Sequence, residues 1–201
     1  MATSAANIIK RILLAHPKEI ISDTSLEPAG VMLLIYEKKG EYCILLNKRT
    51  DLVDQHKGEI SFPGGRMSPE DTTLMETAFR ETYEEMGILP KDVTILGELD
   101  DVPTNSRYLI NTFVGTIPYP YPFKPSKLEV AEILEIPVTA FMKSDYNHKS
   151  NQVVKKSLAK FPSYSYREHV VFGATARILN RFVSLLEADR NEEAPWKKNL
   201  T

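Results

Sequence analysis

A chain of 201 residues, 42% hydrophobic and 26% charged, has the size and balance of one globular domain with a single sizeable core. Its formal net charge of −2 provides no global basic field to recruit nucleic acid, and no apolar run is as long as a membrane span. The single cysteine, Cys43, excludes an internal disulfide and, with no signal-peptide pattern at the start, leads us to expect a cytoplasmic protein.

In chain order, residues 7–14 are amphipathic and read as a helix packed on the domain, with a membrane-surface role as the alternative. Residues 29–36 and 41–47 are β-rich and form a predicted hairpin across Glu37-Lys38-Lys39-Gly40. Cys43 alternates with apolar neighbours there, as a small core residue would. Residues 52–61 are a loop leading to a glycine turn at Gly64-Gly65. A helix is expected over 69–86, with Ser68 as N-cap, Pro69 as the first helical residue and Gly87 left-handed after the last turn. Leu74, Met75, Ala78, Phe79, Thr82, Tyr83 and Met86 form its apolar arc.

Further strands are predicted over 93–99 and 108–117, joined by a polar loop over 100–107. Pro118, Pro120, Pro122 and Pro125 interrupt regular structure and predict a rigid extended loop. A strand over 130–136 and a short helix over 138–142 follow, then a polar excursion over 146–160. A long amphipathic helix is predicted over 170–186, and the charged tail beyond it is expected to fray. The order points to a mixed sheet flanked by helices.

The predicted helix carries Arg80-Glu81-Thr82-Tyr83-Glu84-Glu85. At 3.6 residues per turn, Glu81 and Glu85 lie about 40° apart on one face, with Glu84 beside them. Three like charges so close repel one another. Hard oxygen ligands of this type suit Mg²⁺ or Mn²⁺; the alternative is a solvated acidic surface. Arg80 is read as a structural partner for a carboxylate, with a direct phosphate contact as the alternative. Gly64-Gly65 allows close backbone approach and amide donors aimed at a ligand, or is a plain strand-to-helix turn. Glu129 and Glu132 are candidate general bases outside the helix, or caps of the structure that follows. Lys48 and Arg49 alternate sides of a strand, so one of the two can face a ligand. His56 is a candidate to bind or orient substrate, or an incidental loop histidine.

Residues 65–88 resemble the Nudix box, G-x5-E-x7-R-E-U-x-E-E-x-G-U with U a bulky aliphatic residue. Arg80, Glu81, Glu84, Glu85, Gly87 and Ile88 match it, and Thr82 is a weak U. The step from Gly65 to Arg80 is one residue longer than the general pattern, which leaves Glu70 or Asp71 as the first acid. Asp71 is also a capping-box partner for Ser68. Upstream, Leu45-Leu46-Asn47-Lys48-Arg49-Thr50, His56, Gly58 and Ser61-Phe62-Pro63-Gly64-Gly65 resemble the signature of the coenzyme A pyrophosphatase branch of that family. Asn47 stands for Thr, Thr50 for Ser or Ala, and Asp54 for a second Arg. Leu96-Gly97-Glu98-Leu99, Phe113-Val114-Gly115, Glu129-Val130-Ala131-Glu132 and the run from Phe172 to Leu179 extend the likeness to about residues 29–187.

The resemblance implies an α/β fold, the Nudix α/β/α sandwich with a mixed β-sheet, in one domain over 1–201, with 1–28 an N-terminal extension and 188–201 a frayed tail. It implies divalent-metal-dependent hydrolysis of the pyrophosphate bond of coenzyme A or its thioesters, yielding 3′,5′-ADP and (acyl-)4′-phosphopantetheine. Glu81, Glu84 and Glu85 would hold Mg²⁺ or Mn²⁺, with Glu84, Glu85 and Glu129 catalytic. Arg49, Gly64, Gly65 and His56 would bind substrate, and Arg80, Gly87 and Asp71 would be structural. The partner would be a small nucleoside diphosphate derivative; a homodimer is left open. Asp54, an anion where the signature has a cation, keeps open another nucleoside diphosphate derivative, such as a dinucleotide or nucleotide sugar. A catalytically silent ligand-binding module is the third reading.

Overall fold

The computed structural model describes residues 4–52, 56–142, 153–154, 157–158, 162–189 and 194–196. The N-terminal helix α1 spans Ala5–Ala15, and its apolar stripe of Ile8, Ile9, Ile12 and Leu13 is buried in the domain. Strands β1 (Glu27–Lys38) and β2 (Glu41–Arg49) pair antiparallel. Lys39 and Gly40 between them both have positive φ (53° and 86°), the geometry that matches strand twist in a two-residue hairpin.

Short strands β3 (Ile60–Ser61) and β4 (Gly64–Arg66) lead to helix α2 (Leu74–Met86). Then come β5 (Thr94–Glu98), β6 (Val102–Pro103), β7 (Tyr108–Thr116) and β8 (Val130–Pro137). These eight strands form one sheet with the path β3-β2-β1-β7-β5; β4 pairs with β1, β6 with β7 and β8 with β2. The β1–β7 pair is parallel and the other pairs are antiparallel, so the sheet is mixed. Helix α3 (Val138–Met142) follows β8. Two short pairs, β9 (Val153–Val154) with β10 (Ser157–Leu158) and β11 (Tyr164–Tyr166) with β12 (His169–Val171), precede the last helix, α4 (Gly173–Ala188).

Strand β1 divides the core. Successive side chains point to opposite faces. Met32, Leu34 and Tyr36 pack with Ala78 and Met86 of α2. Val31, Leu33 and Ile35 pack with Ile9 of α1 and Leu179 and Phe182 of α4. A strand buried on both faces is uniformly apolar, as here, and the result is helix, sheet, helix. Among the described residues no helix is long and apolar enough to cross a membrane.

Four expectations change. Helix α2 begins at Leu74, not at Pro69, because Thr73 is its N-cap: Glu76 N donates to Thr73 Oγ1 at 3.1 Å, and Glu76 returns to accept from Thr72 N at 2.7 Å. Ser68 instead closes a turn, its carbonyl accepting from Asp71 N at 3.0 Å. Helix α4 begins at Gly173 because Val170 and Val171 are held in the β11–β12 hairpin. Gly64-Gly65 is a strand rather than a turn, paired with Val31 and Gly30. The tail does not simply fray: Asp189 pairs with Arg11 at 3.0 Å, Ala194 and Trp196 are buried, and Trp196 stands edge-on to Tyr42.

The polar loop over 100–107 also contributes β6 to the sheet. The excursion expected over 146–160 lies mostly outside the described residues, as does Asp54. The proline loop is extended and tied to the end of α2. Lys124 N donates to Met86 O and Ser126 N to Glu85 O, each at 2.9 Å. Gly87, at φ 70°, is the left-handed residue that closes α2.

Candidate active site

The acids of α2 fall into two differently held groups. Arg80 organises the first. Its Nε and Nη2 bind the two oxygens of Asp71 at 3.0 and 2.9 Å, the fork-to-fork geometry that suits guanidinium and carboxylate. Its Nη1 reaches Glu81 at 2.8 Å and Glu84 at 3.1 Å, and Nη2 also donates to Arg66 O at 3.2 Å. Asp71 further accepts from Ser68 N and Thr77 Oγ1, both at 2.9 Å. The Arg80 guanidinium holds the Asp71 carboxyl well below the usual carboxylate range. Of the two candidate first acids, Asp71 is thus the one bound to Arg80, while Glu70 turns to the Ser68 hydroxyl at the surface.

Glu85 is the second group. It is 2% exposed. Its Oε2 accepts from Asn47 Nδ2 at 2.8 Å and from Gly64 N at 3.2 Å. Its Oε1 lies 3.6 Å from Arg49 Nη1. Burial pushes its pKa up to about 8, against the opposing pull of Arg49, and the Glu81 charge adds to the rise. Burial also raises Glu81, although Arg80 pulls the other way. Glu129 repels the charge on both. A buried and a half-buried carboxylate, both held above their ordinary range, describe a site short of positive charge.

The glycines let strand and helix touch. A Cβ on Gly65 would stand 2.5 Å from the Glu81 carboxyl carbon. Gly64, at φ 151°, has no room either, since a Cβ there would meet Gly30 O at 2.5 Å. Its amide is committed to Glu85 rather than aimed at open space.

Arg49, His56, Gly64 and Gly65 line one cavity of about 700 Å³ on the α4 side of the sheet. Its floor and walls are largely apolar, with Val31, Phe62, Ile110, Phe172 and Ile178 among them, and Arg66 and Arg177 add positive charge. Arg49 Nε is buried with no hydrogen-bond partner among the described residues, so one donor of its guanidinium is unsatisfied. His56 is paired with Glu59 at 3.0 Å. Glu81 meets this cavity through Gly65, which touches both.

Glu129 and Glu132 separate. Glu129 follows the proline loop, its carbonyl fixed by Thr50 N at 2.9 Å, and its charge is felt by Glu81 and Glu85. Glu132 lies opposite Lys48 in the sheet, one step out of phase with Asn47 and Ile133. It therefore faces the α4 side, where its carboxylate is 3.6 Å from His169 Nε2.

Among the described residues, no three acidic, histidine or cysteine side chains already converge as a ligand set. Glu81 and Glu84 lean on Arg80, and Glu85 on Asn47 and Gly64. The donors are nevertheless hard oxygens in a charge-deficient site, and they fit a hard divalent cation. Three neighbours escaped the reading of the sequence: Asn47, Ser61 and Arg177. Asn47 had a signal, because it departs from the threonine of the signature; Ser61 was visible within the same motif.

A NUDIX domain model matches residues 26–150. A relative from Photorhabdus laumondii, described as an uncharacterized Nudix hydrolase NudL, is 27% identical over 177 residues, which cover 88% of this chain and 94% of the relative. A relative of the same description from Yersinia enterocolitica is 33% identical over 133 residues, covering 66% of this chain and 68% of the relative. Among solved structures, a MutT/nudix family protein from Enterococcus faecalis superposes with a TM-score of 0.52 at 14% identity, over 98% of this chain and 79% of that one; it speaks to the fold alone.

Proposed function

Starting from the premise that this chain belongs to the Nudix hydrolase family, we propose that it hydrolyses the pyrophosphate bond of coenzyme A or its thioesters with Mg²⁺ or Mn²⁺. The products would be 3′,5′-ADP and 4′-phosphopantetheine or its acyl form. The observation that carries the reading is the charge-deficient pair of Glu81 and Glu85 beside an arginine with an unsatisfied donor, at the edge of a largely apolar cavity.

A bound divalent cation would neutralise pyrophosphate charge and acidify a water. Glu81, Glu84 and Glu85 are the residues we assign to hold it. Arg80 and Asp71 restrain the start of α2, so that the three acids keep their spacing. Arg49, which lines the cavity, grips a phosphate oxygen through its guanidinium. Glu129 is our choice for the group that takes the proton of the attacking water; its electrostatic coupling to Glu81 and Glu85 supports it. Water adds its oxygen to one phosphorus, the bridging P–O bond breaks, and the electron pair leaves with the other phosphate.

The coenzyme A choice is supported by the signature over residues 45–65 and by the cavity. Its volume falls within the range of about 300–1,000 Å³ usual for small-molecule sites. Branched apolar walls at Val31, Ile110 and Ile178 suit a flexible pantetheine arm better than a second nucleoside. Asp54 in place of the signature arginine favours the rival reading, a different nucleoside diphosphate derivative. Mass spectrometry of products decides between them. Chelator-sensitive 3′,5′-ADP from coenzyme A, formed faster than any product from dinucleotides or nucleotide sugars, is the expected result. Faster cleavage of those compounds would replace the substrate while keeping the acid helix.

A further inference from the structure

Asn47 is a buried polar residue beside the acids that this reading leaves without a role. It is 1% exposed, and both ends of its amide are engaged. Nδ2 donates to Glu85 Oε2, and Oδ1 accepts from the Ser61 hydroxyl, each at 2.8 Å. When Glu85 is ionised, as a metal ligand must be, the amide sits this way round, because an ionised carboxylate accepts and does not donate. Gly64 N adds a second donor to the same oxygen at 3.2 Å. That donor is fixed by the backbone, since Gly64 has neither the φ nor the space for a side chain. Oε2 thus carries two donors. Oε1 faces the Arg49 guanidinium at 3.6 Å, beyond hydrogen-bonding distance.

We infer that Asn47, steadied by Ser61, is a positioning residue that turns Glu85 so that it meets a divalent cation through Oε1 alone. The inference rests on the assignment of Glu81, Glu84 and Glu85 to the metal. Asn47 acts through Glu85 and touches neither ion nor substrate. Its consequence is ion selection. Mg²⁺ demands a near-octahedral shell with short contacts to single oxygens, whereas Ca²⁺ takes carboxylates through one or both oxygens in larger, looser shells. With Oε2 committed to Asn47 and Gly64, Glu85 cannot offer Ca²⁺ a second oxygen without breaking two hydrogen bonds.

The test is direct ion binding to the full chain without substrate. Mn²⁺ is titrated by electron paramagnetic resonance, and Ca²⁺ by displacement of Mn²⁺. Asn47→Leu removes both amide bonds at similar volume. It should weaken Mn²⁺ by about 10–100-fold, the range seen when an outer partner of a metal ligand is lost, and weaken Ca²⁺ by less, so that the preference for Mn²⁺ narrows. Ser61→Ala loosens Asn47 without touching Glu85 and should narrow the preference by a smaller factor; it decides the matter on the same readout if the leucine variant does not fold. Equal weakening of both ions, or no change in either, overturns the positioning role, because a merely structural residue would not discriminate between ions. A wild-type chain that binds no Mn²⁺ sinks the metal assignment and this inference together, whereas firm wild-type binding with unchanged variants sinks this inference alone.

Discussion

Asp71, just ahead of α2, and Glu85, near the end of that helix, are both carboxylates almost removed from water (side chains 6% and 3% exposed), yet their acidities move in opposite directions. Asp71 is clasped by the Arg80 guanidinium and stays ionised far into acid. Glu85 has two neutral donors and an arginine beyond hydrogen-bonding reach, and burial dominates. Burial alone therefore does not set the state of an acid; the charge of its nearest partner does. One end of the helix is finished by the protein itself. The buried acid near the other end has no full counterion, as the proposed cation site would require.

The largest expected effect breaks the incomplete end. Glu85→Gln should lower metal-dependent kcat/KM by on the order of 10²–10³-fold, the loss typical of removing one electrostatic contributor at a reacting centre. In chelator at pH 8 the same variant should melt no lower than wild type, because it removes a buried charge that has no full counterion. A variant that keeps its activity would remove Glu85 from the metal site.

Breaking the finished end should have the reverse profile. Asp71→Asn should lower stability in urea by about 2 kcal/mol, the loss expected for charge-assisted hydrogen bonds, with and without metal. A variant as stable as wild type would mean that Arg80 is adequately held by Glu81 and Glu84. The pH dependence sharpens this further. The folded Asp71 carboxyl lies below its ordinary value, so its contribution is complete above about pH 4. It is lost as pH falls through that value toward the folded one. Wild type should therefore lose stability faster than Asp71→Asn when taken from pH 4.5 to about pH 2.5, as read by thermal melts. Parallel curves would show that the pairing persists in the unfolded chain or contributes nothing.

The smallest effect concerns where the finished end begins. Thr73→Ala removes the observed N-cap and should destabilise by about 1 kcal/mol. Ser68→Ala removes only a side chain bonded to Glu70 at the surface and should change stability by less than about 0.5 kcal/mol. The opposite ranking would restore the longer helix.

That last pair shows where the sequence was legible. Gly87, the β1–β2 hairpin and the clustered acids are local signals, and the fold uses each where the sequence displays it. The start of α2 offered two local signals, Ser68 with Asp71 and Thr73 with Glu76. The choice between them depends on Asp71 being drawn to Arg80, nine positions along the chain. Gly64-Gly65 read as a turn because its strand partners, Gly30 and Val31, lie far back in the chain. Asn47 meets Glu85 across 38 positions, and no periodicity reports such a contact. Trp196 is buried against Tyr42 from the other end of the chain, at the close of a tail whose charged composition suggests fraying. What was missed was decided by pairing across the chain rather than by propensity.

The proline loop has one more consequence, visible on the clock of hydrogen exchange. The amides of Lys124 and Ser126 close onto the last carbonyls of α2, so neither can open to solvent unless the end of the helix lets go. They should share one opening event with the amides of the final turn of α2 and exchange at a common rate, as members of one cooperative unit. Glu129, a few residues further along, is carried by that unit. The candidate proton acceptor and the candidate ion ligands would then keep their spacing through the slow breathing of the fold, because loop and helix end would open together.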